Sequence, residues 1–315
     1  MLSLKRIEIT LSVALLFLFV SCADTTKSDE KTMEKDGGVR ITVAIDVLGL
    51  VDQLAGTPSQ RNFRKAMDET LRTFSDDYRT DFVTEFLANI KNENPDLKLA
   101  FIFNLGNRDM FDEDLSNKEV EEVLRKQIER ALDRSAFILE TRLEKALTQN
   151  INVQTRQNKN SLVIDIPGGK AEEKKRLLQI IQLTAFVGFW EDFDQNEAAK
   201  LGGGWPTMDG SVITDAKVNL NKRTNRYNVD LFLNSQGARI WEDLTERNIG
   251  KPITITVDGQ VIFAPVVQEK MTGGRITIDG HFPKQDALDL ANLINAGALP
   301  CAVKIIDFEY VNPVK

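Results

Sequence analysis

Apolar residues alternate with polar ones from Val39 to Val47 (Val39, Ile41, Val43, Ile45, Val47), the period of a half-buried strand. The period then changes to that of a helix. Phe63, Met67 and Leu71 make one stripe within about 60–74, and Phe82, Phe86 and Ile90 make another within 81–90. Leu97 to Phe103 is a short apolar run read as a strand. The longest helix is predicted over 117–147, behind Ser116 as N-cap with Glu119 three residues on. Its stripe is Val120, Val123, Leu124, Ile128, Ala131, Leu132, Ser135, Ile138, Leu139 and Leu143, with charged residues assigned to the solvent face. Strands over 151–155 and 161–166 flank the polar turn Asn158-Lys159-Asn160. Pro167-Gly168-Gly169 ends the second, a short helix runs to about Gln182, and Leu183 to Glu191 reads as another strand.

Residues 192–211 are polar and glycine-rich, with Gly202-Gly203-Gly204-Trp205 at their centre, and read as a connection between two folded parts. Beyond them, Ile213–Leu220 and Tyr227–Leu233 read as strands. Asn234 opens a helix to about Arg247, with Ile240 and Leu244 inward and Asn248-Ile249-Gly250 stopping it. Asp258-Gly259 between Ile253–Val257 and Val261–Phe263 is the signal for a tight type I′ hairpin. Gly273-Gly274 turns the chain into a strand through Ile276 and Ile278. Pro283 starts a last helix on Ala287, Leu290, Ala291 and Ile294, Gly297 ends it, and Val303–Tyr310 closes the chain as a strand. Helices and hairpins without strict alternation point to an α+β fold with mainly antiparallel sheets.

The first residues set the expected compartment. Lys5 and Arg6 precede an apolar stretch, Leu11 to Val20 broken only by Ser12, and then Ser21-Cys22. This is the layout of a secretory signal, with an apolar run too short for a stable membrane-spanning helix. Phe19-Val20-Ser21-Cys22 resembles a bacterial lipobox, although Phe19 stands where leucine is usual. The resemblance implies a signal peptide over 1–22, acylation of Cys22, and a lipoprotein held in the cell envelope, facing the periplasm from the inner or outer membrane. Residues 23–37 contain almost nothing apolar and read as a flexible tether. No apolar run after residue 22 is long enough to span a bilayer.

Charge and rare residues narrow the chemistry. The chain has net charge −7, and removal of Lys5, Arg6 and Glu8 with the signal leaves it about one unit more negative, which argues against nucleic acid and anionic lipid surfaces as partners. Of two cysteines, Cys22 is assigned to lipid and Cys301 lies in an apolar setting, read as a buried inert thiol. His281 is the single histidine, in the corner Asp279-Gly280-His281-Phe282-Pro283, so no triad, Cys–His pair or transition-metal site is expected. Gly202-Gly203-Gly204 lacks the Lys-Ser/Thr of a phosphate-binding loop and reads as a hinge; Asp76-Asp77 and Asp192/Asp194 read as solvated loop carboxylates. No enzymatic activity and no cofactor are expected. Trp190, Trp205 and Trp241 are open to two readings, core or polypeptide-binding surface.

The C-terminal third carries a resemblance. The runs Asn234–Gly250, Ile255–Val266, Met271–Ile276, Ile278–Phe282 and Asp286–Pro300 resemble, in order and with little gapping, the first periplasmic domain of SecD, the translocon accessory subunit. Gly37-Gly38, Ile138–Leu143, Ile164–Gly168 and Thr184–Trp190 extend the likeness over roughly 37–310. It implies a ferredoxin-like base, 38–195 with 283–312, and an inserted α+β head subdomain, 205–282. It further implies a lipoprotein that binds or guides polypeptides during protein export, with exported chains and SecDF or the translocon as partners. Gly202, Gly203, Gly204, Trp205, Trp241 and Phe263 are the candidate polypeptide-binding or hinge residues. Without the membrane helices of SecD such a chain has no proton motor of its own. Ala146-Leu147-Thr148-Gln149 and Pro283 also depart from the family pattern. The alternative is an envelope scaffold or surface lipoprotein that reuses the fold for a dedicated partner, for which Ser28-Asp29-Glu30 behind Cys22 suits a surface-export tag.

Overall fold

The computed structural model describes residues 33, 35–56, 61–73, 81–105, 107–149, 151–191, 193 and 205–313. A four-stranded antiparallel sheet forms the base: β1 (Gly38–Ile45), β2 (Asn152–Arg156), β3 (Ser161–Pro167) and β11 (Val303–Val311), in the order β11-β1-β3-β2. Along β1 the inward residues Val39, Ile41 and Val43 are fully buried, as the alternation demands. Opposite them Arg40 makes a bidentate pair with Asp165 of β3, at 2.7 and 2.9 Å. The long helix α5 (Asn117–Leu147) and the short α6 (Lys174–Gln182) supply buried residues to the same core. The order β1-α5-β2-β3-α6-β11 is the split β-α-β repeat of a ferredoxin-like fold.

Between β1 and α5 lies a helical insertion: α1 (Val47–Leu54), α2 (Arg61–Thr73), α3 (Phe82–Glu93) and α4 (Leu99–Asn104). Phe63, Phe82, Phe86, Phe103 and Phe111 meet there, with ring centroids 5.0–6.1 Å apart in the Phe63–Phe86, Phe63–Phe103, Phe82–Phe86 and Phe103–Phe111 pairs. The structure corrects the strand expected at Leu97–Phe103. That run is α4, with Leu99, Ala100, Ile102 and Phe103 buried and Phe101 outward. A short apolar run has no period with which to tell strand from buried helix. In α2 the buried face takes Thr70, whose hydroxyl donates to Ala66 O at 2.7 Å, and leaves Leu71 exposed, contrary to the expected stripe. The expected tether also ends early, because Met33 is 2 % exposed and its carbonyl accepts from Gly37 N. The rest of 23–32, the signal and Cys22 lie outside the described residues.

The head contains two sheets. One joins β4 (Val187–Trp190), β5 (Met208–Asp209), β8 (Thr254–Val257) and β9 (Gln260–Phe263) in the order β5-β4-β8-β9. The other joins β6 (Ile213–Asn221), β7 (Arg226–Leu233) and β10 (Arg275–Phe282) in the order β10-β7-β6. Helix α7 (Ser235–Arg247) is capped by Asn234, whose side chain accepts from Gly237 N at 2.8 Å. Helix α8 (Lys284–Ala296) ends at Gly297, φ 87°. The second apolar core takes Val187 and Phe189 of β4 together with Ala287, Ala291 and Ile294 of α8. By sheet and core membership, β4 and α8 therefore go with the head, although the boundaries implied by the resemblance, 38–195 and 283–312, put both in the base. Only Val187–Trp190 of the strand expected over 183–191 is in a sheet.

Candidate functional site

Two connections carry the chain between base and head: residues 183–186 outward and 297–302 back. Arg142 reaches both. It projects from α5 at a stripe position, three residues after Leu139, and is 1 % exposed. One terminal nitrogen, Nη1, donates to the carbonyl of Leu183; the other, Nη2, donates to Thr184 O at 3.0 Å and Gly297 O at 2.8 Å. A planar fork of donors suits this task, because a single rigid group satisfies carbonyls on two separate segments. Burial pulls the Arg142 pKa down to about 10, with the nearby Asp258 charge opposing the shift, so the group remains cationic at neutral pH.

Asp258 closes the junction from the head side. It is the first central residue of the β8–β9 hairpin, and the positive φ of Asp258 (50°) and Gly259 (75°) defines the expected type I′ turn. Its carboxylate accepts from the Thr184 hydroxyl, from Ala185 N at 3.1 Å and from Phe186 N at 2.9 Å. Asp258 N in turn donates to Phe186 O at 2.9 Å, and Leu299 N donates to Thr184 O at 2.8 Å, joining the two connections. Ala185 has φ 61°, a left-handed conformation that costs a side-chain-bearing residue on the order of 1 kcal/mol. The outgoing connection is thus a locally strained backbone, gripped by a guanidinium from the base and a carboxylate from the head.

A further tie crosses from base to head, and others hold the adjoining head elements together. Arg176 of α6 pairs with Asp289 of α8 at 2.8 and 3.2 Å and donates to Ala146 O at the end of α5. Asn295 of α8 exchanges two hydrogen bonds with the backbone of Ala216, at 2.7 and 2.8 Å, imitating a strand along the free edge of β6. Glu191, just past β4, accepts from Arg247 at 2.6 and 2.9 Å and from Asn248 at 2.7 Å. The Arg247 hydrogen bond is the main cause that holds the Glu191 carboxyl at about 2.

The residues expected to form a site do not gather here. Gly202, Gly203 and Gly204 lie outside the described residues, as do Asp76, Asp77, Asp192 and Asp194. Trp205 is 80 % exposed ahead of β5. Trp241 is core: it is 2 % exposed and meets Phe189 edge-on at 5.9 Å, which removes it as a binding-surface residue. Phe263 is half-buried at the end of β9. His281 is exposed, 3.6 Å from Asp279. Cys301 is buried, and desolvation pushes its thiol up to about 12, far from a reactive thiolate. A separate cleft of about 440 Å³ in the base is lined by Asp81, Arg125, Glu129 and Gln157 among others; Arg125 is already engaged by Asp81 and Glu121 at 2.6 and 2.8 Å. Arg142 is expected on the solvent face with the other charged helix residues, whereas its spacing from Ile138 and Leu139 places it on the buried stripe.

A ferredoxin-like base interrupted between α6 and β11 by an α+β head, joined through two clamped connections, defines a two-part base-and-head architecture. Residues 191–301 match the family model "SecDF, P1 head subdomain". The chain is 43 % identical over 106 residues to a protein translocase subunit SecD of Syntrophobacter fumaroxidans, covering 34 % of this chain and 20 % of that protein. It is 35 % identical over 158 residues to the SecD of Dictyoglomus turgidum, covering 50 % and 36 %. A crystal structure of SecDF in a super-membrane-facing form superposes with TM-score 0.55 at 19 % identity, over 88 % of this chain and 31 % of that one, a likeness of fold. The chain carries a SecD-type periplasmic domain, and it spans about a third or less of the length of these relatives. Among the described residues, no helix is long and apolar enough to cross a membrane.

Proposed function

We propose that this protein is a membrane-tethered, SecD-like factor that binds or guides polypeptides during protein export on the periplasmic side, held by an acylated Cys22 and without a proton motor or enzymatic activity of its own. The observation that carries the reading is the match of residues 191–301 to the SecDF P1 head, seated on a base through a junction that concentrates its polar contacts in two connections. Val261, Val266 and Met271 are exposed around β9 and the loop that follows, a surface suited to an extended apolar client. The test is in vivo photocrosslinking from Val261, which unlike Trp241 is accessible. Recovery of translocon subunits or many unrelated exported chains is expected. One dominant envelope partner would instead favour a dedicated scaffold or surface lipoprotein. The anchor is tested separately: Cys22→Ser is expected to move the protein from the membrane to the soluble envelope fraction, and retention in the membrane would remove the lipid-anchor reading.

A further inference from the structure

The β6–β7 hairpin ends in a basic, partly apolar tip on an otherwise acidic chain. Lys222, Arg223 and Arg226 are all exposed, and none forms an ion pair among the described residues. The apolar face of this sheet overhangs α8: Leu220 is 40 % exposed, and Tyr227 and Phe282 beside it are only half-buried. Lys284, the first residue of α8, adds a fourth cation at this end, against the carboxylates of Asp279 and Asp286.

The direction in which the tip points follows from the packing. Gly38 pairs with both Val311 and Pro167, so the two ends of the described fold leave the base side by side. Helix α5 finishes at that end, where Gln149 donates to Pro167 O at 3.2 Å. Helix α8 runs against α5 in the opposite sense. Gly297, past its C-terminus, meets Arg142, whereas Asp289 meets Arg176 beside Ala146, a turn closer to the end of α5. The N-terminus of α8 therefore points to the end where residue 38 enters. From Ala216, beside Asn295, strand β6 runs roughly 17 Å to Asn221, in the same direction, since Leu220 pairs with Tyr227 and Tyr227 with Phe282 just ahead of α8.

We propose that the 220–227 hairpin is a membrane-contact element that docks on anionic lipid headgroups beside the point where the N-terminal segment meets the bilayer. The inference rests on the reading that residues upstream of 33 attach the chain to a membrane. The net negative charge that counts against anionic lipid surfaces for the chain as a whole is screened at the tip, because at physiological salt the Debye length is about 8 Å and the local cations dominate what the surface senses. An amphipathic tip of this kind places its cations among headgroups and Leu220 at the interface. Docking there would hold the head close to the membrane that its base is tethered to.

The experiment uses the full chain reconstituted into vesicles of phosphatidylcholine alone or mixed equally with phosphatidylglycerol, followed by flotation and hydrogen exchange. Amides of 220–227 are expected to exchange about tenfold or more slowly on the anionic vesicles, and the protection is expected to vanish in Lys222→Gln/Arg223→Gln/Arg226→Gln and at high salt. An unchanged Tm in that variant keeps the fold out of the comparison. A chain that floats with both vesicles but shows no lipid-dependent protection overturns the proposal and leaves the anchor intact. Protection that survives in the glutamine variant, or that an acidic polypeptide confers equally without vesicles, also overturns it. Failure to float with neutral vesicles, while anionic ones still capture the chain through the hairpin, overturns the anchor and supports the docking element.

Discussion

Replacing Arg142 with alanine is expected to destabilise the protein by about 3–5 kcal/mol and to loosen the head from the base. The side chain is buried and its donors are divided between Leu183 and Thr184 on one connection and Gly297 on the other. Removing it leaves those carbonyls without their charged donor in a site that alanine cannot refill, and each such bond contributes about 1.5–3 kcal/mol. Relief from burying a guanidinium offsets part of the loss, so the sum of the bonds is an upper bound. For a chain of this size a change of about 3 kcal/mol lowers Tm by roughly 5 °C. Arg142→Lys keeps the charge but not the fork, and an intermediate loss is expected. Hydrogen exchange should locate the effect: amides of 183–186 and 297–302 open first in the alanine variant, while the β1–β3 ladder of the base stays protected. Unchanged Tm and unchanged exchange in both connections would mean that the guanidinium does not hold the junction.

The parts of the fold written in local chemistry could be read from the chain. Ser116 and Glu119 form the expected capping box, with Glu119 N to Ser116 Oγ at 3.3 Å and Ser116 N to Glu119 Oε2 at 2.8 Å. The stripe from Val120 to Leu143 is the buried face of α5, and Asp258-Gly259 makes the hairpin it signals. In each case the determining residues are close in sequence. The errors fall where distant contacts decide. Helix α4 is short and apolar but for its last residue, Asn104, and its first N–H is satisfied by Asn117 from eighteen residues away, so nothing within the run announces a helix. Helix α1, behind the Asp46 N-cap, overlaps the expected strand only at Val47, which continues the alternation of β1, and no element is expected over the rest of it. Thr70 displaces Leu71 from the core by donating to its own helix and accepting from Asn89, a partner on α3. The junction is the least local feature of all. Arg142, Thr184, Asp258 and Gly297 are spread over about half the chain, and the composition shift at 192–211 lies after the point where the two cores divide.

Asp258→Ala is the second large effect expected, about 2–4 kcal/mol, because one carboxylate satisfies the Thr184 hydroxyl and the amides of Ala185 and Phe186. Alanine also tolerates φ > 0 less well than aspartate at this turn position, where φ is 50°. Asp258→Gly separates the two contributions: it relaxes the turn, so whatever loss remains reports the three acceptor contacts. Ala185→Gly in the Asp258→Ala background should recover about 0.5–1 kcal/mol, since the strained residue then needs less holding. The sharper measurement is a double-mutant cycle with Arg142→Ala. Arg142 grips the carbonyls of Leu183 and Thr184 while Asp258 grips the hydroxyl of Thr184 and the next two amides, so both act on one short segment. Once either hold is lost the segment is free to relax, and the second substitution should cost less than it does alone, with a coupling of about 0.5–3 kcal/mol. Strict additivity in urea denaturation would mean that the base and the head fasten the connection independently, and that the junction works as two separate attachments and not as one cooperative clamp.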